Sequence, residues 1–79
     1  MKLYCYYDKD ADVFYLSQGK PLAKDKTQEF KDDIVLRFDT KTKKVKGFTI
    51  LNFVKRLNKY HAPISLPIEA TLVPATSLR

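Results

Sequence analysis

A chain of 79 residues with a formal net charge of +6 and 44% hydrophobic residues has room for one small core. One cysteine and one histidine exclude an internal disulfide and a Cys/His zinc site, two of the staples that chains of this size use. No run approaches the roughly 18 apolar residues of a membrane span.

In chain order, Leu3 to Tyr7 read as a strand, with Leu3, Cys5 and Tyr7 on one face and Lys2, Tyr4 and Tyr6 on the other. Five residues, Asp8 to Asp12, separate it from Val13-Phe14-Tyr15-Leu16, a second strand with Phe14 and Leu16 sharing a face. The two predict an antiparallel hairpin. Ser17-Gln18-Gly19-Lys20-Pro21 breaks the pattern. Residues 22–28 are polar and read as a loop or irregular edge, and Glu29 to Asp33 as further extended chain.

Ile34-Val35-Leu36-Arg37-Phe38 alternates cleanly, with Ile34, Leu36 and Phe38 on one face. Asp39 to Lys44 is a turn that the Asp39 side chain is suited to cap. Val45 to Ile50 is the return strand, and Gly47 within it signals a bulge or a close neighbour. From Leu51 the period lengthens. Leu51, Phe53, Val54, Leu57 and Tyr60 fall on one side of a helix over about 51–60, opposite Asn52, Lys55, Arg56 and Lys59. Pro63 ends it. Beyond, Ile64, Leu66, Ile68, Ala70 and Leu72 alternate, but Pro67 and Pro74 mark an extended arm or an edge strand.

The expected fold is α+β: a four-stranded antiparallel β-meander, one short amphipathic helix and an extended C-terminal arm. Residues 1–79 form a single domain, with a core over about 2–60 and the arm over 63–79. The helix covers one sheet face. The other carries Tyr4, Tyr6, Tyr15 and Val35, an uncovered surface of the kind that marks an interface. With no disulfide or metal to staple the core, self-association as a homodimer, through the tyrosine-bearing face or the arm, is the expectation.

The residues with chemical potential are few. Asp8, Asp10 and Asp12 alternate as calcium ligands do, but an EF-hand loop counted from Asp8 needs glycine where Val13 stands and glutamate where Gly19 stands. Asp8 and Asp12 are instead read as turn-fixing side chains. His61 has no nucleophile near it in sequence and Cys5 reads as a small buried hydrophobe. Asp32 and Asp33, adjacent in an extended segment, point to opposite faces. With two glycines in the chain there is no phosphate-cradling loop. No enzyme, no cofactor and no metal is expected.

Charge is the remaining signal. Residues 40–59 hold seven basic residues and no acid: Lys41, Lys43, Lys44, Lys46, Lys55, Arg56 and Lys59. Residues 1–39 hold seven basic against eight acidic. A charge run is most often a solvated face, but this one also suits a nucleic acid or another anionic partner. The start of the chain lacks an apolar h-region and a small-residue cleavage site, so no signal peptide is expected. The unpaired Cys5 fits a reducing, cytoplasmic setting.

Tyr7-Asp8-x-x-Ala11-Asp12-x-x-Tyr15-Leu16, followed by Ile34-Val35-Leu36-x-Phe38-Asp39 and Val45-x-Gly47-Phe48-x-Ile50-Leu51, resembles the small prokaryotic family called domain of unknown function 2283. The likeness covers roughly residues 2–57. Lysines and threonines stand in the second turn where the family carries an acid and a glycine, which makes this chain unusually basic. The resemblance implies a small α+β domain with no established activity. It also implies a protein-interaction module, antitoxin-like, with a small RelE-like toxin as a partner type. A basic toxin would meet the acidic first half of this chain more readily than the second.

Overall fold

Apolar and polar residues alternate along four of the five strands, and the alternation sorts them into one antiparallel sheet. The computed structural model describes residues 2–75. Strands β1 (Leu3–Asp8), β2 (Val13–Gln18), β3 (Lys26–Glu29), β4 (Ile34–Phe38) and β5 (Val45–Leu51) lie in the order β1-β2-β5-β4-β3, and helix α1 (Phe53–Tyr60) follows. The α+β class stands, but the sheet has five strands, not four, and it is not a simple meander: β2 pairs with β5 instead of β4.

Two local features explain the difference. The segment Lys-Thr-Gln-Glu of β3 is exposed throughout and has no apolar alternation. It pairs as an edge strand with β4, Lys26 opposite Phe38. Second, Lys31 to Ile34 is not extended. It is a tight turn closed by the Ile34 N–H on the Lys31 carbonyl at 3.1 Å. Asp32 and Asp33, its central residues, have φ of 54° and 66°, the paired positive values of a hairpin turn that Asp tolerates better than most residues.

The core lies on one face. Ile34, Leu36, Phe48 and Ile50 are buried there, with Phe14, Leu16 and Phe38 packed around them. Ile34 faces Ile50, and Leu36 faces Phe48. Phe14 and Leu16 extend the same layer from β2. The cover is the arm: Ile64, Leu66 and Ile68 pack on this cluster together with Phe53. Helix α1 docks at one end, Phe53 stacking on Phe14 at 4.9 Å. No residue of α1 is buried, and Val54 and Leu57 stay partly exposed. Cys5, on edge strand β1, lies outside the cover and is exposed, which corrects its reading as a core residue.

Gly47 has both properties that its place in mid-strand suggests. The register between β4 and β5 shifts there, with Arg37 opposite Gly47 but Phe38 opposite Val45, so Lys46 is the extra residue of a bulge. A Cβ at Gly47 would lie 2.2 Å from the Leu16 carbonyl oxygen and 2.8 Å from Ser17 Cα. Only glycine lets β2 and β5 approach this closely.

Candidate functional site

Four regions carry the polar and exposed side chains. The first is the opening turn. Asp8 Oδ1 accepts the backbone N–H groups of Asp10 and Ala11, both at 3.1 Å, which closes the turn locally. Asp12 acts at a distance. Its Oδ1 accepts the N–H of Val54 at 2.8 Å, its Oδ2 that of Lys55 at 3.3 Å, and its carbonyl that of Phe53 at 3.0 Å. These are orphan donors of the first turn of α1. Asn52, the residue before the helix, makes no side-chain cap, so Asp12 supplies the cap from another part of the chain. The Tyr7 hydroxyl donates to Asp12 Oδ1 at 2.7 Å. The Val54 amide, then the Tyr7 hydroxyl, hold the Asp12 carboxyl below its ordinary range. The same bond raises Tyr7.

The second region was hidden in the polar stretch after β2. The connection from β2 to β3 crosses the ends of β5 and β4 to reach the far edge. Asp25 pins it: Oδ2 accepts the Leu22 N–H at 2.8 Å, Lys46 Nζ at 3.0 Å and Arg37 Nη1 at 3.3 Å. The Asp25 side chain is 1% exposed and that of Lys46 8%. The Leu22 amide, then Lys46 and Arg37, lower the Asp25 carboxyl against the opposing effect of burial. Lys46 is therefore committed to the fold and is not part of any exposed basic surface.

The remaining six basic residues of the 41–59 segment do not form one patch. Lys41, Lys43 and Lys44 are exposed on the β4–β5 turn, while Lys55, Arg56 and Lys59 lie on α1. Seven residues of β5 separate the two groups, about 20 Å at the rise of a strand. Asp39 organises the turn, its Oδ1 accepting the N–H groups of Lys41 at 2.8 Å and Thr42 at 2.9 Å. Those amides, Thr42 first, lower its carboxyl. Lys43 takes φ of 63°, the left-handed position for which glycine is the default.

The third region is the second face of the sheet. Tyr4, Tyr6 and Tyr15 are exposed on it, and Val35 is half-buried. Tyr6 opposes Tyr15 across β1 and β2, their ring centroids 6.1 Å apart. At its other end, beside the Asp25 clamp, Ser17 and Gly47 are buried.

The fourth region is a groove of about 900 Å³ between α1, the β3–β4 turn and the start of the arm. Phe30 and Lys31 line one wall, and Lys55, Arg56, Lys59 and Tyr60 the other. Asp32 and Asp33 lie at the turn, where Asp33 Oδ2 accepts Asn52 Nδ2 at 3.3 Å. One terminal nitrogen of Arg56 is buried and has no partner among the described residues. Phe30 and Tyr60 were not distinguished as site residues by their sequence context. Phe30 follows a featureless polar stretch, and Tyr60 reads as part of the helix's apolar side.

Among the described residues, no group of three or more His, Cys, Asp or Glu side chains is placed to hold a metal ion. Among the same residues, no helix is long and apolar enough to cross a membrane. The family model described as "Protein of unknown function (DUF2283)" matches residues 5–53, and the chain belongs to that family. No curated protein and no solved structure matches it. The matched span holds the five strands almost whole and stops at the first residue of α1. The basic wall of the groove and the arm lie beyond it.

Proposed function

We propose that this member of the family is a protein-interaction module that self-associates through the tyrosine-bearing face of its sheet. The observation that carries the reading is the contrast in cover. The arm closes the face holding Ile34, Leu36, Phe48 and Ile50, while Tyr4, Tyr6 and Tyr15 stay exposed on the opposite face, Tyr6 at 64%. Tyrosine brings large, rigid contact area at low entropic cost and is enriched where proteins meet. A second copy presents the same rings, so the contact is self-complementary.

Light scattering on the purified chain across a concentration series tests this. A dimer is expected, and Tyr6→Glu combined with Tyr4→Lys shifts it to monomer with an unchanged far-ultraviolet spectrum. A wild-type chain that stays monomeric at high concentration overturns the self-association. The antitoxin-like form of the reading places a toxin-type protein on the same face. Its support is the family resemblance and the near-balanced charge of residues 1–39. Copurification of one small basic protein with the wild-type chain, lost with the same double substitution, is the expected result.

A further inference from the structure

We infer that the groove between α1, the β3–β4 turn and the arm binds single-stranded nucleic acid. The site differs from the tyrosine face and does not depend on it. It also differs from the basic 41–59 segment taken whole, since it uses only the helical part and adds an aromatic wall from elsewhere in the chain.

Three observations converge. The groove has the volume of a ligand site, about 900 Å³, and it is open, as a binder of a continuing strand must be. Four cations, Lys31, Lys55, Arg56 and Lys59, line it against two acids, Asp32 and Asp33, and the acids sit together at the turn. A phosphate path therefore runs along the helix wall, away from them. Arg56 is half-buried and lines the groove, and a guanidinium meets phosphate oxygens with paired N–H bonds where a lysine offers a point charge.

Aromatic side chains decide among anionic partners. Phe30 is 49% exposed and Tyr60 60% exposed, and both line the groove. Lys59 Nζ already lies 5.3 Å from the Tyr60 ring centroid, so cation and ring are presented together. Flat rings beside cations match bases beside phosphates. A peptide carboxylate would use the cations and leave the rings bare. A duplex would offer phosphates but keep its bases stacked out of reach, whereas unpaired bases can lie on the rings.

Fluorescence anisotropy with a labelled oligothymidylate at low salt is the test, with poly-glutamate and a duplex of mixed sequence as competitors. The oligothymidylate is expected to bind, with affinity falling as salt rises. Each phosphate neutralised contributes roughly 0.7 to the slope of log affinity against log salt. Phe30→Ala and Tyr60→Ala each weaken binding about tenfold. The triple Lys55→Gln, Arg56→Gln, Lys59→Gln weakens it far more than Lys41→Gln, Lys43→Gln, Lys44→Gln, which removes the same charge about 20 Å away. The Tyr4/Tyr6 double variant binds as the wild type does. Thermal melts confirm that each variant is folded, and the six lysines and arginines substituted in the two triple variants are at least partly exposed. Absence of binding at low salt overturns the proposal. So does equal weakening by the two triple variants, which marks attraction by net charge alone. Poly-glutamate competing as well as unlabelled oligothymidylate, with the ring substitutions silent, also overturns it and assigns the groove to an acidic protein.

Discussion

The two faces of the sheet come from one alternation, yet they are held in different ways. On the first, Ile34, Leu36, Phe48 and Ile50 are sealed by Ile64, Leu66 and Ile68 from the arm and by Phe53. That closure is apolar and non-directional, and its strength follows the area removed from water. On the second, the polar β2–β3 connection, clamped by Asp25 against Arg37 and Lys46, covers one end, and Val13 is buried at the other. Between them Val35 is half-buried and Tyr4, Tyr6 and Tyr15 stay exposed. The buried apolar cluster Ile34, Leu36, Phe48 and Ile50 thus lies on one side, and an ionic clamp holds part of the other. The difference is what leaves the tyrosines of the second face exposed.

Neighbouring residues on β5 give the sharpest way to break this contrast. Phe48 is buried on the first face, while Thr49 is half-buried on the second. Phe48→Ala leaves a cavity in the apolar cluster of the first face and costs about 3–5 kcal/mol. A core of this size supplies roughly 3–5 kcal/mol in all, so no cooperative thermal transition is expected. Thr49→Ala, one residue away, is expected to stay within about 0.5 kcal/mol of the wild type. Comparable losses at both positions, read from denaturant midpoints, would mean that the second face is also sealed and would end the argument for a free surface.

The arm is the next target. Ile64→Ser, Leu66→Ser and Ile68→Ser together remove three half-buried apolar contacts. Each is worth less than the roughly 1.5–3 kcal/mol of a fully buried side chain, and the combined loss is expected at about 2–3 kcal/mol. Binding of a hydrophobic dye should rise as Leu36 and Ile50 become accessible. If stability and dye binding do not change, α1 alone covers the core, and the contrast between faces loses its main support.

Strand positions and their facing were legible because a period of two shows in a handful of residues. Leu3 to Tyr7, Val13 to Leu16, Ile34 to Phe38 and Val45 to Ile50 all carry it. Strand order was not legible, since whether β2 pairs with β4 or β5 is decided by the path of a polar connection. Lys26 to Glu29 shows no pattern because an exposed edge strand needs none. Asp12 could be read as a turn residue from its neighbours alone, while its contact with Val54 lies 42 positions away. Val54 and Leu57 have the spacing of a core-facing helix side, but the arm takes the place against the sheet that a longer helix would fill. The groove was half legible: Lys55, Arg56 and Lys59 share a helix side, whereas Phe30 reaches them only through the tight turn at Asp32 and Asp33. The motif residues Tyr7, Asp8 and Asp12 thus fix how hairpin and helix join, and the basic helix wall of the groove lies outside the family-matched span.

Acid separates the two faces at smaller cost. Asp12 joins α1 to the first face and Asp25 clamps the second, and both carboxyls are held below the ordinary aspartate value, which is about 3.9 in an unfolded chain. Between the folded and unfolded values the unfolded chain binds more protons, so stability falls as pH falls through that window. Above about pH 5 the full contribution is present. Melting temperature is therefore expected to be flat from neutrality to about pH 5 and to drop below about pH 4. Asp25→Asn removes part of that drop and also lowers stability at neutral pH, because Arg37 and Lys46 lose their counter-charge. Asp12→Asn keeps one oxygen for the helix amides and costs less at neutral pH. Hydrogen exchange read by segment then locates each loss. With Asp25→Asn the amides of β3 and the end of β4 should exchange faster, and with Asp12→Asn those of α1. Faster exchange at α1 in both variants would show that the ionic clamp and the helix cap belong to one cooperative unit, and that the two faces are not independently held.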